Sequence, residues 1–478
     1  MSRSLSIYVA VLLVFGLGIF AILQHGQSLR VHPGPATEAG SLASPASADH
    51  PMDPAGSPHR SLWEGLQENL QHPLSRLFIQ LILIMVAARG LGTLMGKVGQ
   101  PVVVGEMVAG ILLGPSLLGW LWPGAFDFIF PTATLGTLRL LSQIGVCLFL
   151  FVIGMELDVS HLRHRAQTAV VVSHVSIVFP YFLGVAVSLW LYPRLAPPGA
   201  SFMSFALFMG IAMSITAFPV LARILEERGL ARTALGATAI TCAAVDDLSA
   251  WSILAVVVAL ARAGGVAVPF LSLGLVLAFV LVMVFVIRPR WAHWIEKAKV
   301  NGGGPKQGIM VTVLAFVLAS AFVTEVAGIH ALFGAFLAGV VMPRETEFCQ
   351  YLRVRMENMS SVFLLPLFFA FTGLRTQLGL LNGLENWLIC LGLIGVATLG
   401  KLGGSMCAAR WTGLGWNDAF RLGALMNTRG LMELIALNLG YDLGILSPTV
   451  FTMMVIMALV TTALTGPLLA LAGRWKTG

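Results

Sequence analysis

An all-α polytopic membrane protein of about thirteen transmembrane helices is the fold class this sequence predicts, and three observations carry it. The 478 residues are 57% hydrophobic and only 11% charged, with a mean hydropathy of +0.87. That composition excludes an ordinary soluble globular protein. From Pro73 almost to the C-terminus, apolar runs of roughly 20 residues alternate with short polar or Gly/Pro-rich joints. The Lys and Arg residues crowd into alternate joints, as they do in cytoplasmic loops. The formal charge of +7 is therefore topological, and no nucleic-acid partner is expected. Five cysteines, odd in number and mostly inside apolar segments, offer neither a disulfide framework nor a CxxC metal pattern. No cofactor is expected.

Taken in order, residues 1–23 hold an apolar stretch after Arg3 that reads as a signal peptide or a signal anchor. No convincing A-x-A site follows closely, which favours the anchor. Residues 24–72 are rich in Ala, Ser, Gly and Pro and read as a flexible linker with too few apolar residues to fold alone. The membrane domain occupies 73–478. Its expected spans are 74–96, 101–119, 136–156, 168–192, 203–224, 234–262, 266–288, 308–326, 329–342, 359–374, 385–410, 418–439 and 448–473. Basic residues fall in alternate loops, at Arg163 and Arg165, at Arg223, Arg228 and Arg232, at Arg288 to Lys306, at Arg344 to Arg355, at Arg410 and Arg421, and at Arg474 and Lys476, with Arg194, Arg262 and Arg375 as the main exceptions. The pattern predicts a multi-pass cell (inner) membrane protein with a cytoplasmic C-terminus and the linker outside.

Adjacent carboxylates, Asp246 and Asp247, sit inside one apolar run. Each charge at mid-membrane costs about 2.5 to 3.5 kcal/mol on the lenient insertion scale, so a retained pair points to function. Two other spans carry helix-breaking or polar interruptions: Ser214-Ile215-Thr216-Ala217-Phe218-Pro219 in the first, and Asn427-Thr428-Arg429-Gly430 in the second. Irregular backbone at membrane depth is tolerated where it lines a cavity or is buried in protein, and half-helix ends then offer dipoles and carbonyls to ions. The structural alternative is a proline kink healed by Thr216 and a helix-start cap at Asn427. The two interruptions occupy corresponding places in the two halves, one a span before the Asp pair and the other a span after Lys401. That is the pattern of an inverted repeat, about 74–262 and 308–473, with 266–288 as the linking helix. Glu433, four residues beyond Arg429, is expected in an ion pair of structural character. His330 is an accessory candidate, either hydrogen-bonded packing or a pH-sensitive group. Glu106 and Glu156 are expected at access routes or interfaces, and Phe368 to Phe371 in apolar packing. Gly105, Gly110 and Gly114 recur at helix-packing intervals.

With these residues in view, the chain resembles the monovalent cation:proton antiporter-2 family, which includes bacterial Na+/H+ and K+/H+ antiporters and plant cation/proton exchangers. The resemblance covers roughly 74–473. It rests on Gly105-Glu106 through Gly114-Pro115, Gly154-Met155-Glu156-Leu157-Asp158, Ser214 to Pro219, Ala244-Val245-Asp246-Asp247, Gly328-Ile329-His330-Ala331 through Gly339, Phe368 to Gly373, and Asn427 to Glu433. It implies a core in which two interrupted helices, 203–224 and 418–439, cross near the midplane beside a comparatively fixed dimerisation domain. A homodimer is implied on the same basis. Lys401 in Gly400-Lys401-Leu402-Gly403 matches the membrane lysine that pairs with the first aspartate in electrogenic relatives. The plant exchangers and electroneutral relatives often carry Asn before the essential Asp; this chain carries Asp246, so its stoichiometry is open to differ.

Successive residues on a helix point about 100° apart, so Asp246 and Asp247 share one electrostatic environment while facing different partners. Two acids in a dry site do not both ionise cheaply, which makes proton binding part of the expected chemistry. Asp247 is expected to hold a proton or a bare Na+ or K+ in turn, helped by hydroxyls and carbonyls around Thr216 and Thr428, with Asp246 paired to Lys401. The expected activity is cation/proton exchange rather than catalysis. A monovalent cation channel is the alternative, and an intramembrane aspartyl protease a remoter one. A nucleotide-binding glycine motif in a strand-to-helix setting is missing, which argues against an ATP-driven pump.

Overall fold

In the computed structural model, residues 2–29, 69–156, 162–230, 233–262, 274–275, 277–291, 293, 307–327, 330–343, 351–356 and 363–474 are described. They contain helices and no strand. Eight helices among them are long and apolar enough to cross a bilayer, and three shorter apolar ones accompany them. With most backbone groups satisfied inside their own helices, such elements suit a hydrocarbon environment.

The first helix, α1 (Ser2–Gly26), lies against the bundle, with Phe15 edge-on to Phe179 at 5.5 Å and Phe182 at 5.1 Å. Most of the expected linker falls outside the described residues. After α2 (Pro73–Lys97), the expected span 101–119 departs from a single helix: α3 (Val102–Leu113) stops at Gly114-Pro115. Proline has no N–H to continue the ladder, and Ser116 just beyond instead donates to Thr376 O at 2.7 Å and accepts from Leu378 N at 3.0 Å. Next come α4 (Thr132–Glu156) and α5 (Leu162–Leu195), the latter outrunning its expected 168–192 despite Pro180 and Pro193.

Both interruptions are present. The expected span 203–224 divides into α6 (Phe202–Ser214) and α7 (Phe218–Glu227), with Ile215, Thr216 and Ala217 between them. Pro219 stands in the first turn of α7, where its missing N–H is harmless. The aspartate helix follows as α8 (Ala234–Arg262). Only 274–275 and 277–288 of the linking helix are described, including a π-helical stretch, Val282–Ile287. Beyond it lie α9 (Gln307–Val326), α10 (Ala331–Val340) and α11 (Leu365–Leu374). Helix α12 (Leu384–Thr398) continues through a π-helical segment, Leu399–Gly403, into α13 (Gly404–Trp411). The second interruption separates α14 (Trp416–Met426) from α15 (Leu431–Asp442), and α16 (Pro448–Arg474) closes the bundle.

Glycines let these helices approach backbone to backbone. A Cβ on Gly154 of α4 would fall on Phe336 O of α10, and one on Gly339 of α10 would fall on Phe151 O of α4. Gly110 of α3 and Gly373 of α11 meet in the same way, while Gly105 abuts Leu91 O and the Gly92 Cα of α2. Close approach of this kind supplies packing and dispersion where lipid offers no hydrophobic drive. The expected phenylalanine packing is also present, with Phe368 and Phe369 edge-to-face at 5.7 Å.

Candidate functional site

The two interruptions meet. Ala217 N in the first donates to Thr428 O in the second at 3.0 Å, and Thr216 Oγ1 lies 3.2 Å from Met426 O, the last residue of α14. Arg429 locks them together. Its guanidinium donates to Ala212 O at 2.8 Å and Met213 O at 2.6 Å, carbonyls left open where α6 ends, and its Nη1 lies 3.2 Å from Glu433. A cation at a helix C-terminus is favoured by the peptide dipoles. Thr462 of α16 fixes the backbone at this point, accepting from Arg429 N at 3.0 Å and donating to Arg429 O at 2.8 Å. Arg429 and Glu433 are both fully buried, and the ion pair expected from their spacing is present.

Beside this crossing stands the buried ion pair. Lys401 Nζ lies 2.8 Å from Asp246 Oδ2, and neither residue is exposed. Lys401 also donates to Ser176 O at 2.9 Å, to Ser176 Oγ at 3.3 Å and to Ser214 O, the carbonyl at the end of α6. It projects from the π-helical turn of Leu399–Gly403, a local widening frequent at functional sites. Asp246 accepts from Ser173 Oγ at 2.6 Å and Thr216 Oγ1 at 2.6 Å, and Ser176 Oγ is 3.1 Å from both its oxygens.

Asp247 stands in contrast. It is fully buried, yet neither carboxylate oxygen has a hydrogen-bond partner. The backbone N–H of Phe218, at the start of α7, is near enough to act on it electrostatically. Of the hydroxyls and carbonyls expected to help Asp247 around Thr216 and Thr428, neither hydroxyl bonds to it in this structure. The single proton of Thr216 goes to Asp246, and Thr428 Oγ1 lies 3.4 Å from Thr465 Oγ1. The turn of α8 explains it, since adjacent side chains diverge and only Asp246 faces the hydroxyl-bearing strand of the break.

Ser173 and Ser176 of α5 were missed by sequence reasoning. Their i, i+3 spacing within the apolar part of that helix was the available signal. Pro219, Ser214 and Gly430 belong to the two interruptions, and Ser214 contributes its carbonyl rather than its hydroxyl, which turns back to Ile211 O at 2.9 Å. Asn427, at the end of α14, is buried with no partner on either amide atom.

His330 lies apart from this centre. It caps α10, its Nδ1 accepting from Leu332 N at 3.4 Å. Its ring lines a vestibule of about 490 Å3, together with Arg139, Gln143, Cys147, Glu325 and Asp442. A small cavity lined by Trp251, Leu254, His330, Ile435 and Leu439 adjoins it, sharing His330 and Leu439. Trp251 stacks on Phe336 at 6.0 Å, one helical turn along α8 from Asp247. Glu106 is described with contacts in the bundle; the Glu156 side chain, Leu157-Asp158 and Gly328-Ile329 lie outside the described residues.

Fold and site together define an all-helical membrane protein with an ion-paired acid centre buried where two interrupted helices meet. The chain matches, over residues 81–475, the family described as sodium/hydrogen exchanger, transmembrane, and it belongs to that family. It is 43% identical over 393 residues to the Na(+)/H(+) antiporter NhaS4 of Synechocystis sp., a match covering 82% of this chain and 96% of that one. It is 38% identical over 402 residues to Cation/H(+) antiporter 17 of Arabidopsis thaliana, covering 84% of this chain and 48% of that one. The K(+)/H(+) antiporter 1 of Saccharomyces cerevisiae is 32% identical over 412 residues, covering 84% of this chain and 46% of that one. The chain thus spans about half the length of these plant and yeast relatives. Among solved structures, the sodium proton antiporter MjNhaP1 from Methanocaldococcus jannaschii at pH 8 superposes with a TM-score of 0.59 at 15% identity, over 84% of this chain and 97% of that one. That likeness is one of fold.

Proposed function

We propose that this chain is a secondary antiporter that exchanges a monovalent cation, Na+ or K+, for protons by alternating access, with Asp247 as the carboxylate both ligands share. The observation that carries the reading is the asymmetry of the acid pair. Asp246 is saturated by three hydroxyls and an ammonium, whereas Asp247 is buried with both oxygens free to accept. A buried carboxylate without a partner is costly when charged, so occupation by a proton or by a bare cation relieves the same deficit. Competition for one group couples the two flows. An empty, charged Asp247 crosses poorly, which prevents leak. Membership of the sodium/hydrogen exchanger family and the antiporter names of the relatives favour exchange over the channel alternative.

Asp246 and Lys401 form a counterweight that opens when a cation binds and protons leave. Two protons then move against one cation, and the net charge transferred is worth about 2.3 kcal/mol per 100 mV. A fuller architecture goes with this reading: hydropathy supports thirteen spans, the paired interruptions support an inverted repeat, the placement of Lys and Arg supports residence in the cell (inner) membrane with a cytoplasmic C-terminus, and the resemblance supports a homodimer. In that arrangement α1 is a retained signal anchor.

The test is dissipation of a pH gradient by purified protein in liposomes, with Na+, K+, Li+ or Rb+ added and the membrane potential clamped or free. Saturable, cation-dependent proton flux is expected. Flux indifferent to every cation would overturn exchange, and rates indifferent to potential would overturn the two-proton stoichiometry alone.

A further inference from the structure

We infer that Asn427 is a cation ligand of this site, its side-chain amide oxygen setting the affinity for and choice among alkali cations. The inference rests on the exchange reading above and names a residue which that reading does not use.

Among the described residues, only Asp247 and Asn427 are fully buried, carry two side-chain polar atoms and have no hydrogen bond or ion pair on either. Native interiors rarely leave such groups unpaired, and each case calls for an explanation such as an absent ion. Other side chains of the centre are already engaged. Asp246 is filled by Ser173, Ser176, Thr216 and Lys401, and Arg429 occupies the carbonyls of Ala212 and Met213.

The backbone brings the two orphans to one place. Phe218 N–H acts on Asp247, its neighbour Ala217 donates to Thr428 O at 3.0 Å, and Thr428 is the residue after Asn427. Phe218, whose N–H acts on Asp247, and Asn427 are therefore the chain neighbours of the two residues joined by the Ala217–Thr428 bond. Asn427 also ends α14, where unsatisfied carbonyls give the negative end of the helix dipole. A hard oxygen, neutral and fixed by the helix end, is the ligand type alkali and alkaline-earth cations take. One anionic and one neutral oxygen leave the net charge of the site at zero when a monovalent cation is bound. A divalent cation would leave it positive in a buried setting, so the predicted ligand is monovalent.

The test is Asn427→Leu, which keeps the branched outline in a larger side chain without polar atoms, with Asn427→Ser as a smaller variant that keeps an oxygen. Purified proteins are compared by cation-dependent shift of the melting temperature, using NaCl, KCl and choline chloride, and by the KM for each cation in liposomes. A ligand role predicts at least a tenfold rise in the cation midpoint for Asn427→Leu, a smaller rise with an altered Na+/K+ ratio for Asn427→Ser, and an unchanged pH profile at saturating cation. Should Asn427→Leu fold and keep the wild-type cation constants and ratio, the inference fails while exchange itself stands. Should Asn427→Leu fail to fold, the Asn427→Ser ratio decides, and a wild-type ratio overturns the inference. Absence of any cation-dependent proton flux in the wild type would instead sink the exchange reading.

Discussion

Asp246 and Asp247 are chain neighbours in opposite circumstances: the first accepts hydrogen bonds from Ser173, Ser176, Thr216 and Lys401, and the second from none. The difference is one of hydrogen-bond saturation, and it is the ground on which Asp247 is proposed as the shared carboxylate. Asp247→Asn is expected to abolish cation-dependent proton flux while the purified protein melts at or above the wild-type temperature, because a buried carboxylate without partners is replaced by a neutral group of the same shape. Retained exchange in that variant removes Asp247 from its assigned role.

Removing the other half of the pair has the opposite sign. Lys401→Met leaves Asp246 buried without its counter-charge, and breaking a buried pair from one side costs about 3–5 kcal/mol. The double variant Asp246→Asn with Lys401→Met is expected to recover most of that loss, since both charges are gone. Thermal melting of the four proteins of the cycle measures it. Additive losses would show that the two side chains do not act on each other.

Helix contact at Gly154 and Gly339 is expected to be intolerant of even one methyl. Gly154→Ala places a Cβ on Phe336 O, so α4 and α10 must separate, at a cost of about 1–3 kcal/mol. Gly392→Ala in α12 has open space around its Cβ and serves as the control. Equal melting temperatures for the two variants would contradict the close approach.

At the vestibule, Asp442 pairs with Arg375 at 2.8 Å and with Arg139 at 3.0 Å. Side-chain exposure is 16% for Arg375 and 42% for Arg139, so solvent screens the second pair far more. Arg375 also donates to Asn438 Oδ1 at 3.0 Å and lies 4.4 Å over the Phe371 ring. Arg375→Ala is therefore expected to lower the melting temperature clearly and Arg139→Ala hardly at all. Comparable effects would mean that exposure does not govern these pairs.

Much of this was legible before any fold was known. The hydropathy of 448–473 predicts α16 (Pro448–Arg474) because a transmembrane helix needs little beyond apolar length. The interruptions at 214–219 and 427–430 were readable from proline, glycine and hydroxyls inside apolar runs, and the acids from their cost in lipid. Helix ends were less legible. Within span 101–119 the ladder breaks at Gly114-Pro115 before a short turn of helix, Leu118–Leu121, and α5 runs past its expected ends with two prolines inside it.

By itself, the amino-acid order determined an all-helical membrane protein with adjacent intramembrane acids, a distant lysine and two weak points in its helices. Only the tertiary structure decided which acid is satisfied. Ser176 reaches Asp246 across 70 residues of chain, Lys401 across 155, and Arg429 caps α6 across 217. Periodicity and spacing report on a residue's own helix, a few turns at a time. Whether a carboxylate gains partners depends on which faces of distant helices come together, and that is a property of their packing.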